Sequence, residues 1–135
     1  MLKNISKMIE TSKATWKQAK FSGVEYIPLH MDLPERVGSM IVKMTPNASY
    51  PKHRHTQAEE IFVLKGSLQV GDQLLKGGDF LFSPQGTVHE MSTTEGCLFY
   101  MQIPAGLEFV SQSTFEDMDE IADTPAEPSL VTNDA

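Results

Sequence analysis

The sequence predicts an all-β domain, a small antiparallel barrel of jelly-roll type or a sandwich, with an appendage at each end. Three observations carry that expectation. From about residue 23 onward, short runs rich in Val, Ile, Leu, Met and Phe alternate with Gly, Pro, Asn and Asp. Many short strands with turn residues at close spacing read this way. No convincing long helical pattern interrupts them, which disfavours a doubly wound α/β fold. The 135 residues, 40% hydrophobic and 21% charged, are enough for one domain with a real core and too few for two.

Residues 1–20 form the first appendage, a basic arm or short helix with five lysines and one acid, Glu10. Ile5, Met8, Ile9, Ser12, Trp16 and Ala19 make a weak stripe at helical spacing, as on an element that lies against a domain or a second subunit. Strands are then expected near 24–29, 39–45, 51–55, 60–65, 67–71, 73–76, 79–83, 88–92, 97–103 and 107–110, all within a domain spanning 21–114. Gly66 and Gly78 fall where strands should turn, and Pro84-Gln85-Gly86 reads as a turn ahead of His89. The last stretch, 115–135, holds seven acids, two prolines and few large apolar residues. It is expected to be a flexible acidic tail, with Phe115, Met118 and Ile121 able to pin its first turns.

Charge narrows the function classes. The net charge is −7, and all eleven bases lie in residues 1–76, whereas 77–135 carry eleven acids and no base. An acidic chain is a poor general nucleic-acid binder, because that affinity comes from Lys and Arg on phosphates. No apolar run approaches the roughly 18 residues of a membrane span. A secretory signal is not apparent, so the expected compartment is the cytoplasm. The single cysteine, Cys97, excludes an intramolecular disulfide, a Cys-rich zinc finger and a CxxC redox site.

The chemistry gathers on three of the four histidines. His53 and His55, separated by Arg54, would project to one face of a strand. Glu59 follows after three residues, and His89 would arrive from another strand. Three neutral imidazoles and one carboxylate suit a divalent first-row metal, and the +1 left over suits an anionic or polarisable ligand in an open position. Taken singly, each residue has a plain alternative: a surface histidine, or a hydrogen-bonded one.

The surroundings decide between them. The segment from Asn47 through His53, His55 and Glu59 to Gly66, and the segment from Gly78 through Pro84, Gly86 and His89 to Thr93, resemble the two motifs of the cupin superfamily. Those motifs run G-x5-H-x-H-x3-4-E-x6-G and G-x5-P-x-G-x2-H-x3-N. The resemblance implies a cupin barrel with metal ligands His53, His55, Glu59 and His89, Glu60 facing away, and one divalent metal, Zn or Fe first, with Mn or Ni as alternatives. Two positions depart from the pattern: Asn47 stands for the leading glycine and Thr93 for the closing asparagine. Asn enters the left-handed region more readily than most residues, so the first change is tolerable.

A narrower resemblance covers roughly residues 16–110. Trp16, Gly23-Val24-Glu25, the string from His53 to Gly66, the string from Gly77 to Glu90, and Glu95-Gly96-Cys97 are similar to the ChrR-type cupin-like domain, the zinc-binding half of an anti-sigma factor. Related small cupins include iron-dependent dioxygenases that cleave acetylacetone or dihydroxyacetophenone. The helical half of ChrR, with its own His/Cys zinc site, has no counterpart in the residues before the cupin pattern, so a free-standing cupin is expected.

If Glu59 faces the interior, Ile61 and Val63 do too. Met40, Val42 and Met44 share a face, as do Phe99 and Met101, giving an apolar pocket lining around the metal with barrel core as the plain alternative. Cys97 reads as a buried small hydrophobe, since no basic residue after Lys76 is at hand to favour a thiolate. His30, between prolines, reads as a loop residue. Phe62 and Leu64, apolar on the outer side, suggest a cover by a second subunit or by the arm, and a homodimer is expected. Three functions fit. The first is a metal-dependent, dioxygenase-like enzyme on a small diketone or similar enolisable molecule. The second is a regulatory cupin that senses a metal and a small ligand, and the third is a cupin with a purely structural metal.

Overall fold

Side-chain alternation sets the architecture. Along β5 (Glu59–Val70), Glu59, Ile61 and Val63 are buried while Glu60, Phe62 and Leu64 are exposed. That is the two-residue period of a strand with one face on a core. The computed structural model describes residues 5–32, 37–55, 58–104 and 119–121, with backbone alone at 32, 37, 53–55, 103–104 and 119–121. The strand expected at 107–110 and most of the acidic tail lie outside the described residues.

The remaining strands are β1 (Lys17–Gln18), β2 (Val24–Asp32), β3 (Val37–Met44), β4 (Ser49–His55), β6 (Gln73–Lys76), β7 (Phe80–Ser83), β8 (Val88–Ser92), β9 (Cys97–Pro104) and β10 (Asp119–Ile121). Every pairing is antiparallel. The path runs β1-β2-β3-β9-β5-β8-β4-β10, with β6 and β7 attached to β5. Strand β5 is the hinge of the fold. Its first half pairs with β9 and β7, and its second half pairs with β6 and β8. The chain is all-β, as expected, and the described residues contain no α-helix.

Gly66 shows how β5 serves both halves. The sequence suggested a turn there, separating strands 60–65 and 67–71. The strand instead runs straight through, with a register shift against β9 between Val63 and Lys65. Gly66 takes φ +80°, and a Cβ at this position would collide with the Gly96 carbonyl and lie 2.9 Å from Cys97 Cα. The residue is glycine because two backbones meet and one bends, not because the strand ends.

Inner residues of the pairs β3–β9 and β5–β9 stack into one core. Met40 and Ile61 both lie opposite Met101, and Val42 and Val63 both lie opposite Phe99. Leu68, Val70, Tyr50 and Met91 extend it. Each such side chain contributes about 1.5–3 kcal/mol by leaving water.

The N-terminal arm is an arm and not a helix. Among its described residues the one helical feature is a 3-10 turn at Thr11–Lys13, and Ile5 and Met8 stay 65% and 78% exposed. Its contact with the domain comes later. The Lys43 ammonium sits 4.3 Å from the centre of the Trp16 ring, and Ala19 is buried. Phe62 and Leu64 remain exposed with the described part of the arm in place. His30, expected in a loop, lies exposed on β2, just past a register irregularity at Pro28. Proline is tolerated in a strand where the ladder is interrupted, because it has no N–H to give.

Candidate metal centre

Strand β4, which carries His53 and His55, lies between β8 and β10. In the β4–β8 ladder, His53 is directly opposite His89. Opposed residues of an antiparallel pair lie on the same face of the sheet, and His55, two residues on, falls on that face as well. The ladder shifts register between Tyr50 and His53, around Pro51, where the missing N–H allows a bulge and the strand can re-aim.

His89 is delivered by a fixed turn. The Thr87 hydroxyl donates to the Pro84 carbonyl at 2.6 Å, the Thr87 N–H donates to the same oxygen at 3.2 Å, and Gly86 takes φ +93°. Thr87 is fully buried, and His89 two residues later is 4% exposed. Glu59, the first residue of β5, is 2% exposed, whereas Glu60 beside it is exposed. The strand's own alternation thus selects Glu59 as the inward carboxylate.

The structure brings His53 and His89 into one register and buries Glu59 and His89. The side chains of His53 and His55 lie outside the described part, and among the described residues no group of three or more His, Cys, Asp or Glu side chains gathers. Glu59 Oε1 and His89 Nδ1 are buried atoms without a protein hydrogen bond, although each residue keeps another interaction. Oxygen and imidazole nitrogen at buried positions, with two more histidines on the same strand face, are a donor set that a divalent metal fits.

One neighbour went unnoticed in the sequence. Ser83 pairs directly with Glu59 across β5–β7 and is 1% exposed. A serine before proline reads as turn chemistry, and only the register shows that it shares the inner face with Glu59.

The two departures from the motifs turn out to meet. Asn47 takes φ +69°, the left-handed conformation expected of it, and its N–H donates to the Thr93 carbonyl at 2.9 Å. The Thr93 hydroxyl donates to the Ser67 carbonyl at 2.7 Å and accepts from Gly96 N–H at 2.8 Å. Thr93 therefore ties β8, β5 and the turn before β9 together, a structural duty.

Met40, Val42, Met44, Ile61, Val63, Phe99 and Met101 are all buried and belong to one core cluster. Of two open grooves of about 540 and 520 Å³, one runs along Phe21–Gly23 and Thr45–Ser49, and the other along Lys43–Pro46 and Glu95–Cys97, where Met44 is the one predicted lining residue it reaches. Neither contains a predicted ligand. The Cys97 thiol is pushed up from 9.0 to about 11 by burial, against smaller opposing effects of hydrogen bonding with the Thr93 side chain and the Met44 backbone. It is a neutral thiol at physiological pH, not a poised nucleophile.

The family model of the ChrR cupin-like domain matches residues 5–105. The chain belongs to this cupin family. Solved structures share its fold at low sequence identity. An acetylacetone dioxygenase from Acinetobacter johnsonii superposes with a TM-score of 0.65 at 18% identity, over 73% of this chain and 74% of that one. The polyketide cyclase RemF from Streptomyces resistomycificus gives 0.64 at 23%, over 95% of this chain and 100% of that one. The Rhodobacter sphaeroides complex of SigE with the anti-sigma ChrR gives 0.61 at 17%, over 68% of this cupin but 49% of that chain. Against curated proteins the cupin has no match. Among its described residues, no helix is long and apolar enough to cross a membrane.

Proposed function

We propose that this cupin holds one divalent metal ion, zinc or iron, on His53, His55, Glu59 and His89, and acts on a small enolisable molecule such as a β-diketone. The observation that supports it most is the register of His53 opposite His89 together with the burial of Glu59. A metal bound there would supply Lewis acidity toward an oxygen ligand. The chain supplies the rest. Glu59 brings the one negative charge among the four donors, and the turn at Pro84–Thr87 fixes the approach of His89. Ile61 and Val63, on the same face of β5 as Glu59, keep that side of the site apolar. The likeness to an acetylacetone dioxygenase supports the substrate class at the level of fold.

Elemental analysis after chelator-free purification tests the reading, followed by oxygen uptake with acetylacetone. Stoichiometric iron, or uptake after loading with Fe(II), is the expected result. Zinc alone, with no uptake after Fe(II) loading, would sink the dioxygenase half and leave the metal site standing. Membership of the ChrR family supports a second reading, a regulatory cupin that binds metal and a small ligand without turnover. Its signature would be a partner held in one metal or ligand state and released in the other.

A further inference from the structure

Among the described residues, the buried hydroxyls of Thr87 and Thr93 are hydrogen-bonded. Thr87 donates to Pro84, and Thr93 both donates to Ser67 and accepts from Gly96. Ser83 is the exception among the described residues: it is 1% exposed, and its Oγ has no hydrogen-bond partner. A buried hydroxyl without a partner costs free energy, and in a native structure it calls for a ligand, a water or a functional reason. Its position is specific. Ser83 is the direct cross-strand partner of Glu59, on the inner face of the β5–β7 pair, while its neighbour Phe82 lies opposite Glu60 on the outer face. The turn starting at Pro84 pins the strand end that carries it.

We propose that Ser83 is a ligand-binding residue of the metal centre, donating its hydroxyl hydrogen to an oxygen of an anionic ligand bound beside Glu59. The inference rests on the metal reading given above. Three neutral imidazoles and one carboxylate around a divalent cation leave a net charge of +1, which selects an anion. A hydroxyl donor next to it favours an oxygen anion of the enolate or hydroxamate kind, since hydrogen bonds to charged oxygen are the stronger ones. Serine has one hydrogen to donate, and the Ser83 Oγ makes no hydrogen bond.

The test compares wild type with Ser83→Ala and Ser83→Thr, using acetylacetone and acetohydroxamate as probes of the metal-loaded protein in calorimetric titrations. Ser83→Ala is expected to weaken at least one probe about tenfold, the worth of one hydrogen bond to a charged group. Its metal affinity, measured by competition with a chromophoric chelator, should stay within about twofold of wild type, because the Ser83 hydroxyl is neither a ligand nor hydrogen-bonded to one. Its metal-free melting temperature should be unchanged or higher, because an unsatisfied hydroxyl has gone. Ser83→Thr keeps the donor and should bind within about threefold of wild type. Probe binding by Ser83→Ala equal to wild type would overturn the proposal, as would a metal-free protein destabilised by several degrees, which marks a structural hydroxyl. A wild type that binds metal but neither probe overturns this inference alone. A wild type that binds no metal removes the metal reading and this inference with it.

Discussion

The two faces of the β5–β7 ribbon use the same kinds of residue for opposite ends. Inside lie Glu59, Ile61, Val63 and Ser83, all at most 2% exposed. Outside lie Glu60 and the apolar Phe62, Leu64, Phe80 and Phe82, the last four between 39% and 56% exposed. Both faces carry a glutamate beside a run of large apolar side chains, and the pleat alone separates them. Composition is thus silent about which carboxylate can do chemistry. Burial decides it, because a carboxylate taken out of water must be compensated, whereas Glu60 keeps its hydration.

The largest expected effect on metal binding separates the two glutamates. Glu59→Ala should lower metal affinity at least about 100-fold, as loss of one of four ligands does, whereas Glu60→Ala should leave it within about twofold. Equal metal affinities for the two variants would mean that the inner face is not where metal binds. Next come the aromatic residues. Phe99, fully buried, should cost about 3–5 kcal/mol as Phe99→Ala, and the half-exposed Phe80 about 0.5 kcal/mol as Phe80→Ser, both measured by urea unfolding. A Phe80 cost as large as that of Phe99 would show that the outer face is covered in solution.

Two glycines with the same backbone sign sharpen the picture further. Gly66 and Gly78 take φ +80° and +98°, but a Cβ would strike backbone only at Gly66 and meets nothing within 4 Å at Gly78. Gly66→Ala should therefore cost more than about 2 kcal/mol, and Gly78→Ala about 1 kcal/mol from φ alone. The smallest effect concerns Cys97. Its thiol titrates near 9.0 when the chain is unfolded and at about 11 when folded. Above pH 9 the unfolded chain releases a proton that the folded chain retains, so stability attributable to this group is full below 9 and declines through 11. Cys97→Ser should flatten the fall in stability between those values, read from urea midpoints across pH.

Much of this was legible from the sequence alone. The alternation in β5, the four ligand candidates and the strand blocks from β2 to β9 follow from period-2 patterning and from motif residues whose spacing survives any detail of packing. What escaped did so for local reasons. The break expected at Gly66 assumed that glycine marks a turn, but a close approach between backbones asks for the same residue. Strands β1 and β10 are only two and three residues long, too short for periodicity to register. Within β10, Asp119 and Glu120 are poor strand formers, and it is pairing with an existing edge that defines the strand. Ser83 escaped because relevance to the site depends on what lies across the ladder, which no single strand encodes.

Strand β10 has one practical consequence. Asp119, Glu120 and Ile121 pair with His55, Arg54 and His53, so the edge of the histidine strand is closed by a segment far along an acidic stretch. Trimming the chain at residue 118 to be rid of that stretch would strip the edge bare. The N–H and C=O groups of β4 would then be open to a strand from another molecule. A shortened cupin that clumps at high concentration, while the full-length chain stays dispersed, is what such an unprotected border would produce.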